Sequence, residues 1–243
     1  MRSLHIIMPM AGEGSRFLKE GWSTPKPLIE LNGKPLFLHA IGSLNLEKLP
    51  VKYSFIVRKE HIDNNAIDKR IKQILPEASI FCVEKTTRGA VETCLLAECA
   101  IDKDDCIIIM DCDLEFRSKA FTEYITQTVN SKEEELNGGA LVSFPSNDSR
   151  YSYAEIDENN QVKRTAEKEV ISNHALCGAY FFSSAKGFLN AAHRLLNEPV
   201  FTKPEYYVSL LFNYLLKNGG KVMLTSMEEY HSYGTPEELK RYL

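Results

Sequence analysis

The sequence is short of most features that would announce a partner. Its six cysteines, Cys82, Cys94, Cys99, Cys106, Cys112 and Cys177, form no Cys-x-x-Cys pair. Its six histidines do not cluster at metal-ligand spacing. Structural zinc and a disulfide framework are therefore excluded, and the thiols are expected to be reduced, buried and structural. Charge of one sign is also missing. The net charge is -4, so no global basic field draws the chain to nucleic acid or to an anionic membrane. No long apolar run exists. The first one is cut by Pro9, Gly12 and Glu13, too early for a signal segment or a membrane span, and a cytoplasmic location is the expectation. There are no repeats and no linker rich in Gly, Ser or Pro.

What remains is an ordinary globular composition, 44% hydrophobic and 26% charged over 243 residues, which suffices for one large domain. An anionic substrate would have to be held by local arginines and lysines. The expectation is one domain over 1–243, with functional halves 1–115 and 116–243. Oligomeric state is not readable. Val208–Leu216 is apolar enough to be core or the face of a homo-oligomer.

The first half alternates strands and helices. Leu4–Met8, Lys52–Val57, Ser79–Val83 and Cys106–Met110 read as strands. Pro35–Leu46, His61–Leu75 and Ala90–Ala100 read as helices. This order predicts an α/β fold with a doubly wound, mostly parallel, Rossmann-like sheet. The second half predicts strands at Gly139–Phe144, Tyr151–Ile156, Val162–Ala166, Ala175–Phe182 and Lys221–Thr225, and helices at Ala185–Leu196 and Glu205–Lys217. That is a mixed α/β half laid against the first, suited to a second substrate. In doubly wound sheets ligands bind beyond the carboxyl ends of the strands, where Gly12, Glu84 and Asp111 all fall.

The chemistry concentrates in Met8-Pro9-Met10-Ala11-Gly12-Glu13-Gly14-Ser15-Arg16-Phe17, followed by Pro25-Lys26-Pro27-Leu28. A glycine bend at a strand's end offers backbone N–H groups without Cβ atoms to hold a phosphate away. Arg16 adds a fork of donors and Lys26 a mobile point charge. The stretch therefore reads as a triphosphate cradle, although a Gly-x-Gly bend is also an ordinary tight turn. It is not the dinucleotide fingerprint, because position 17 is Phe. It is not a Walker A loop, because Gly-Lys-Ser/Thr is absent. Asp111-Cys112-Asp113 follows an apolar strand, and two carboxylates facing phosphates suit Mg²⁺.

With these residues the chain resembles the nucleotidyltransferases that activate sugar phosphates with a nucleoside triphosphate. Its Pro9-Met10-Ala11 variant resembles a bacterial branch that feeds capsule and other surface-polysaccharide synthesis. The resemblance implies a GT-A-like nucleotidyltransferase fold and catalytic Arg16 and Lys26. It implies nucleotide contacts at Ala11, Gly12, Gly14, Ser15, Glu84, Thr87, Gly89 and Ala90, and metal at Asp113 with Asp111 beside it. Tyr153, Glu167, Lys168 and Gly178 would bind the acceptor. Glu84 stands where the family often has a base-reading glutamine. A carboxylate accepts from an exocyclic amine such as cytosine N4, which tips the expectation toward CTP, though guanine and adenine carry amino groups too.

Two departures matter. Glu169 replaces the proline of the family's Glu-Lys-Pro, and Ser232 replaces the second metal aspartate ahead of Gly234-Thr235-Pro236. Either the metal leans on Asp113, Asp111 and the phosphates, or His231 or Glu229 substitutes. These departures keep a non-sugar acceptor open, phosphocholine or a phosphorylated amino-acid derivative. A GT-A glycosyltransferase and a non-catalytic nucleotide-binding subunit are also compatible with the motifs. Locally, Thr235-Pro236-Glu237-Glu238 is a helix start: a capping threonine, proline at the first position, acids in the first turn.

Overall fold

The apolar runs of the sequence stack side by side in a computed structural model that describes residues 2–46, 49–132, 136–198 and 203–243. In chain order the elements are β1 (Leu4–Met10), α1 (Ser15–Lys19), β2 (Glu30–Leu31), β3 (Lys34–Pro35), α2 (Leu36–Gly42), β4 (Val51–Arg58), α3 (Lys59–Asn65), α4 (Ile67–Ile74), β5 (Ser79–Val83), α5 (Ala90–Leu95), β6 (Cys106–Met110), β7 (Leu114–Arg117), α6 (Lys119–Asn130), β8 (Gly138–Pro145), β9 (Ser152–Ile156), β10 (Val162–Glu167), β11 (His174–Phe182), α7 (Ala185–Leu196), α8 (Leu211–Lys217), β12 (Lys221–Ser226), β13 (Glu229–Ser232) and α9 (Pro236–Leu239).

Strands β5, β4, β1 and β6 run parallel in that order. β11 lies antiparallel against β6 and leads on to β9 and β10, and β8 and β12 extend the sheet beside β11. Alternation sends neighbouring side chains to opposite faces. Ile6, Met8 and Ile108 pack with Phe37, Ile71, Phe121 and Ile125 from α2, α4 and α6 on one face. Ile7, Ile56, Ile107 and Ile109 pack with Val91, Phe188 and Phe212 from α5, α7 and α8 on the other. The central strands are therefore apolar throughout, as a sheet covered on both sides requires.

Several helices are shorter than their sequence patterns. The predicted helix over His61–Leu75 is broken at Ala66, which takes a left-handed φ of 49° and separates α3 from α4. The Pro35–Leu46 helix stops at Gly42. The Ala90–Ala100 helix is regular only to Leu95, and a 3₁₀ turn covers Glu98–Ala100. In Glu205–Lys217 the first turn is 3₁₀ and begins at Val208. Cysteine burial also differs from expectation: Cys82 and Cys99 are exposed, and all six thiols are free.

Two features position the cleft. First, β11 carries an irregularity between Leu176 and Tyr180. Gly178 sits there with φ 98°, and a Cβ on it would stand 2.4 Å from Asp111 Oδ2. Glycine is thus what lets β11 pass the aspartate that ends β6. Second, Phe17, Ile29, Leu31, Leu36, Tyr233 and Leu239 form a small separate core. It docks the C-terminal helix α9 beneath the loop after β1. Lys240 reinforces this with Nζ 2.5 Å from Glu20 Oε2.

Candidate active site

At the carboxyl ends of β1 and β6 a cleft of about 340 Å³ opens between the two halves. Arg16, Lys26, Asp111 and Asp113 line it from the first half; Tyr151, Ser152, Glu167, Gly178 and Tyr180 line it from the second. A second cleft, of about 310 Å³, lies across the glycine bend, bounded by Gly12, Gly14, Trp22 and Arg58, and meets the first at Lys26.

Lys26 is the hinge of this geometry. It follows Pro25 in a short 3₁₀ turn, and its Nζ lies 2.6 Å from Asp113 Oδ2. Burial alone would favour the neutral amine, but the Asp113 carboxylate outweighs it and holds the ammonium charged well above the usual lysine range. Arg16 stands exposed on the same wall, with no hydrogen-bond or ionic partner among the described residues. Asp111 opens into the cleft, and its carboxyl is pushed up by desolvation at the cleft floor and by the neighbouring Asp113 charge. The adjoining thiol of Cys112 is pushed up to about 12 by burial. Cys177, the thiol that lines the cleft, is likewise pushed up by burial, so the cleft presents carboxylates and a neutral thiol, with no thiolate nucleophile.

The glycine bend is open. A Cβ on Gly12 would meet nothing within 4 Å, so its face is free for a ligand. Ala11 is buried, and its carbonyl accepts from Arg58 Nη1 at 3.3 Å. The same guanidinium donates to Thr86 Oγ1 at 3.3 Å, and that hydroxyl donates to Glu13 Oε1 at 3.1 Å. Arg58 thus ties the bend to the loop after β5. Ser15 opens α1. Glu84 is exposed at the end of β5 and lines neither cleft. Thr87 turns inward, with Oγ1 2.6 Å from Thr93 Oγ1. Gly89 is buried against protein: a Cβ on it would lie 2.5 Å from Tyr206 N. Its small size serves the packing of two backbones rather than contact with a base. Ala90 lines the cleft.

On the acceptor side one expectation fails. Tyr153 is fully buried and donates its hydroxyl to Asp148 O at 2.8 Å. Alternation along β9 turns it away from the face that Ser152 gives to the cleft, and the aromatic residue of this stretch that lines the cleft is Tyr151, just before the strand. Glu167 does line it. It is buried, and its Oε2 accepts from the hydroxyls of Ser152 and of Ser209, the latter at 2.8 Å. Lys168 lies at the rim with φ 56°, its Nζ 2.8 Å from Tyr207 Oη.

The C-terminal segment corrects a second expectation. His231 and Glu229 pair with each other at 3.3 Å on β13 and do not line the cleft. The acid that arrives there is Glu238, third residue of α9. Its Oε2 accepts from Ser232 Oγ at 2.8 Å and from Thr235 N at 3.1 Å, and Thr235 caps the helix in return. A Cβ on Gly234 would stand 3.4 Å from Asp113 Oδ2 and 3.5 Å from Glu238 Oε2. Nothing in the sequence marks Glu238 beyond its place in the capping box.

The family model for nucleotidyl transferases matches residues 5–218, most of the chain. The chain belongs to the nucleotidyl transferase family. A nucleoside-diphosphate-sugar pyrophosphorylase of Vibrio cholerae RC9 is 26% identical, with a TM-score of 0.82 over 98% of this chain and 99% of that one. The inositol-1-phosphate CTP transferase of T. maritima is 15% identical, with a TM-score of 0.71 over 100% of this chain and 94% of that one, a likeness of fold alone. A 2-C-methyl-D-erythritol 4-phosphate cytidylyltransferase of Chromobacterium violaceum is 31% identical over 109 residues, spanning 43% of this chain and 44% of that protein.

Among the described residues of this family member, no group of three or more His, Cys, Asp or Glu side chains could hold a metal ion. The hard oxygens of Asp113 and Asp111 beside an open bend do fit an ion that takes one or two carboxylates and completes its shell with phosphate oxygens and water. Among the described residues, no helix is long and apolar enough to cross a membrane.

Proposed function

We propose that the protein transfers a nucleotidyl group from a nucleoside triphosphate to the phosphate of a sugar phosphate, releasing pyrophosphate. The observation that carries this reading is the Lys26–Asp113 pair, 2.6 Å apart, at the junction of the glycine-bend cleft and the cleft between the halves. One substrate's phosphates would lie on each side of that ammonium. An oxygen of the acceptor phosphate attacks the α-phosphorus; the new P–O bond forms as the bond to the β-phosphate breaks, and pyrophosphate carries the charge away. Catalysis of this kind is positioning and charge pairing. Lys26 bridges the α-phosphate and the incoming phosphate, and Arg16, unpaired on the same wall, holds the departing phosphates. Asp113, with Asp111 beside it, would hold a magnesium ion brought by the nucleotide, which supplies neutralisation of the non-bridging oxygens.

The Glu84 carboxylate, which favours CTP in the sequence, lines neither cleft. The lean toward CTP therefore rests on the cytidylyltransferase relative. A sugar acceptor is favoured over phosphocholine by the tyrosines. A quaternary ammonium seeks open aromatic faces, but Arg150 lies 4.6 Å above the Tyr151 ring and Lys168 Nζ 4.8 Å above the Tyr207 ring. The activated sugar would then supply polysaccharide assembly, the capsule role that the sequence resemblance suggests.

A pyrophosphate-release screen decides. Four nucleoside triphosphates are tested against sugar, polyol, choline and amino-acid phosphates with magnesium present. Release with a sugar phosphate, fastest with CTP, is the expected result. Release only with choline phosphate overturns the acceptor. No release with any pair overturns the activity and favours a glycosyltransferase or a non-catalytic subunit.

A further inference from the structure

The acceptor's phosphate needs a cation that the nucleotide does not already occupy. The cationic side chains lining the cleft, among the described residues, are Arg16, Lys26 and Arg150. The proposed chemistry commits Arg16 to the departing phosphates and divides Lys26 between the nucleotide and the acceptor phosphate, while Lys168 at the rim is held by Tyr207. Arg150 remains, in the loop between β8 and β9, on the wall that faces Lys26 across the cleft.

Its surroundings are built. The guanidinium lies over the Tyr151 ring and donates to that residue's hydroxyl. Nε is 3.1 Å from Asp148 Oδ2 and Nη1 is 2.7 Å from Glu238 Oε1. Stacking and the Asp148 contact fix the plane of the fork, which leaves the Glu238 edge as the one that a ligand can take over. Glu238 tolerates the loss, because its other oxygen keeps the Ser232 and Thr235 donors. The exchange also happens in the right place. Glu238 Oε2 and Asp113 Oδ2 approach the same point beside Gly234, at 3.5 and 3.4 Å, so an anion that replaces Glu238 on Arg150 stands next to the carboxylate that holds Lys26.

We propose that Arg150 binds the phosphate of the acceptor, exchanging the Glu238 carboxylate for it. A phosphate dianion offers the fork a bidentate partner with more charge than one carboxylate. Glu238 then acts as a competitor that keeps Arg150 in place when the acceptor is absent. The inference rests on the nucleotidyltransferase reading above and adds to it the residue that selects a phosphorylated acceptor.

The test uses the sugar phosphate with which the wild-type protein releases pyrophosphate fastest. Arg150→Ala should raise the KM for that acceptor on the order of tenfold to a hundredfold, as loss of a charged hydrogen-bond pair does. The KM for the nucleotide should stay within about twofold, the noise of an uninvolved surface change. Glu238→Gln keeps a side chain that serves the capping box but frees the guanidinium. It should lower the acceptor KM about two- to fivefold, the worth of a partly exposed ion pair. The opposite signs are the signature, since a merely structural pair would weaken both variants alike. An unchanged acceptor KM in Arg150→Ala, or an equal rise in both KM values, overturns the proposal while leaving the activity intact. If Arg150→Ala does not fold, Glu238→Gln decides alone: an acceptor KM that rises or stays fixed overturns it. A wild-type protein that releases no pyrophosphate fails the activity itself, and the proposal with it.

Discussion

At the amino ends of the central strands, His5 Nε2 lies 2.8 Å from Ser54 Oγ and its Nδ1 3.5 Å from Asp105 Oδ2, with Lys52 Nζ 2.9 Å from Asp105 Oδ1. At the carboxyl ends of the same strands, Lys26 meets Asp113, with Asp111 and Arg16 alongside. Both ends hold a lysine against a buried or half-buried aspartate, and the amino end even has a serine, a histidine and an aspartate in a row, the order of a hydrolase triad. Access separates them. His5, Ser54 and Asp105 are 1%, 0% and 2% exposed, so no substrate reaches that serine. The carboxyl-end groups line a cleft of about 340 Å³. Residue types in proximity make chemistry possible, and only an opening with room for a reactant makes it a site. On the proposed function the carboxyl-end cluster belongs to turnover, and the sealed amino-end cluster to stability.

The sharpest way to break that division is to remove the lysine of the open end. On the proposed function Lys26→Ala deletes the charge that bridges the two phosphates, and turnover should fall on the order of a hundredfold or more. Its melting temperature should move by only a few degrees, because the Asp113 left behind lines an open cleft that water can enter. Pyrophosphate release and a thermal melt on the same preparation read both quantities. Intact turnover would mean that Lys26 is only a structural partner of Asp113.

The mirror experiment removes the aspartate of the sealed end. Asp105→Ala strips a partner from Lys52 and from His5, and also frees the Asp102 N–H that donates to Asp105 Oδ2 at 2.9 Å. Stripping one member of such a buried network costs about 2–3 kcal/mol. For a chain of this size that lowers the melting temperature by roughly 4–10 °C. kcat and both KM values, measured well below the melt, should match the wild type. A selective loss of turnover would show that the amino end reaches the chemistry after all.

How much of this is legible in the sequence follows the range over which each signal acts. β6 and α7 have the bounds that their patterns predict, Cys106–Met110 and Ala185–Leu196, because an all-aliphatic run and a clean apolar stripe are local. α6 gives a weaker signal: Lys119–Asn130 is rich in threonine, aromatic and β-branched residues that favour helix weakly. Its only marks are the Ser118 cap and the spacing of Phe121, Ile125 and Val129. The two-stranded β7–β13 sheet joins Leu114 to Ser232, a long-range pairing that no local pattern announces. In the cleft, Lys26, Asp111 and Asp113 are legible from a bend and a strand end. Tyr151 and Tyr153 are both aromatic and sit two residues apart, so sequence cannot choose between them; the choice depends on where β9 begins and which face it presents. Glu238 is a helix-start acid in sequence and in structure, and only the docking of α9 on Phe17 and Leu36 brings it to Asp113 as well.

A smaller effect tests the floor of the open end. Gly178→Ala would place a Cβ 2.4 Å from Asp111 Oδ2 in a left-handed backbone. Either the carboxylate or β11 must shift, so stability should fall by about 1–3 kcal/mol and turnover should fall with it, since Asp111 and Asp113 share a turn. The division predicts that this double loss is peculiar to the cleft floor. Chemical denaturation and pyrophosphate release together check it, and a loss of stability without any loss of turnover would remove Asp111 from the site.

The gentlest probe is pH. Burial drives the His5 pKa below its ordinary 6.5, outweighing the nearby Asp105 charge. His5 Nδ1 is buried without a hydrogen-bond partner. The folded protein therefore binds fewer protons than the unfolded chain just below pH 6.5, and stability rises with pH in that interval. It is fully present above pH 6.5 and is lost as pH falls below it, by at most about 1.4 kcal/mol per pH unit for one group. His61, whose pKa burial also lowers, adds a slope of the same sign, and the raised Asp111 carboxyl adds one of the opposite sign up to about pH 7. The His5 share is therefore the difference in urea midpoints between wild type and His5→Gln from pH 5 to pH 7.5, which should rise with pH toward 6.5. Asp111 titrates in the opposite sense of access: its carboxyl, raised by desolvation and by Asp113, faces the cleft, so its protonation should appear in the pH profile of turnover. A stability slope that survives His5→Gln unchanged would show that the amino-end histidine does not carry the acid sensitivity.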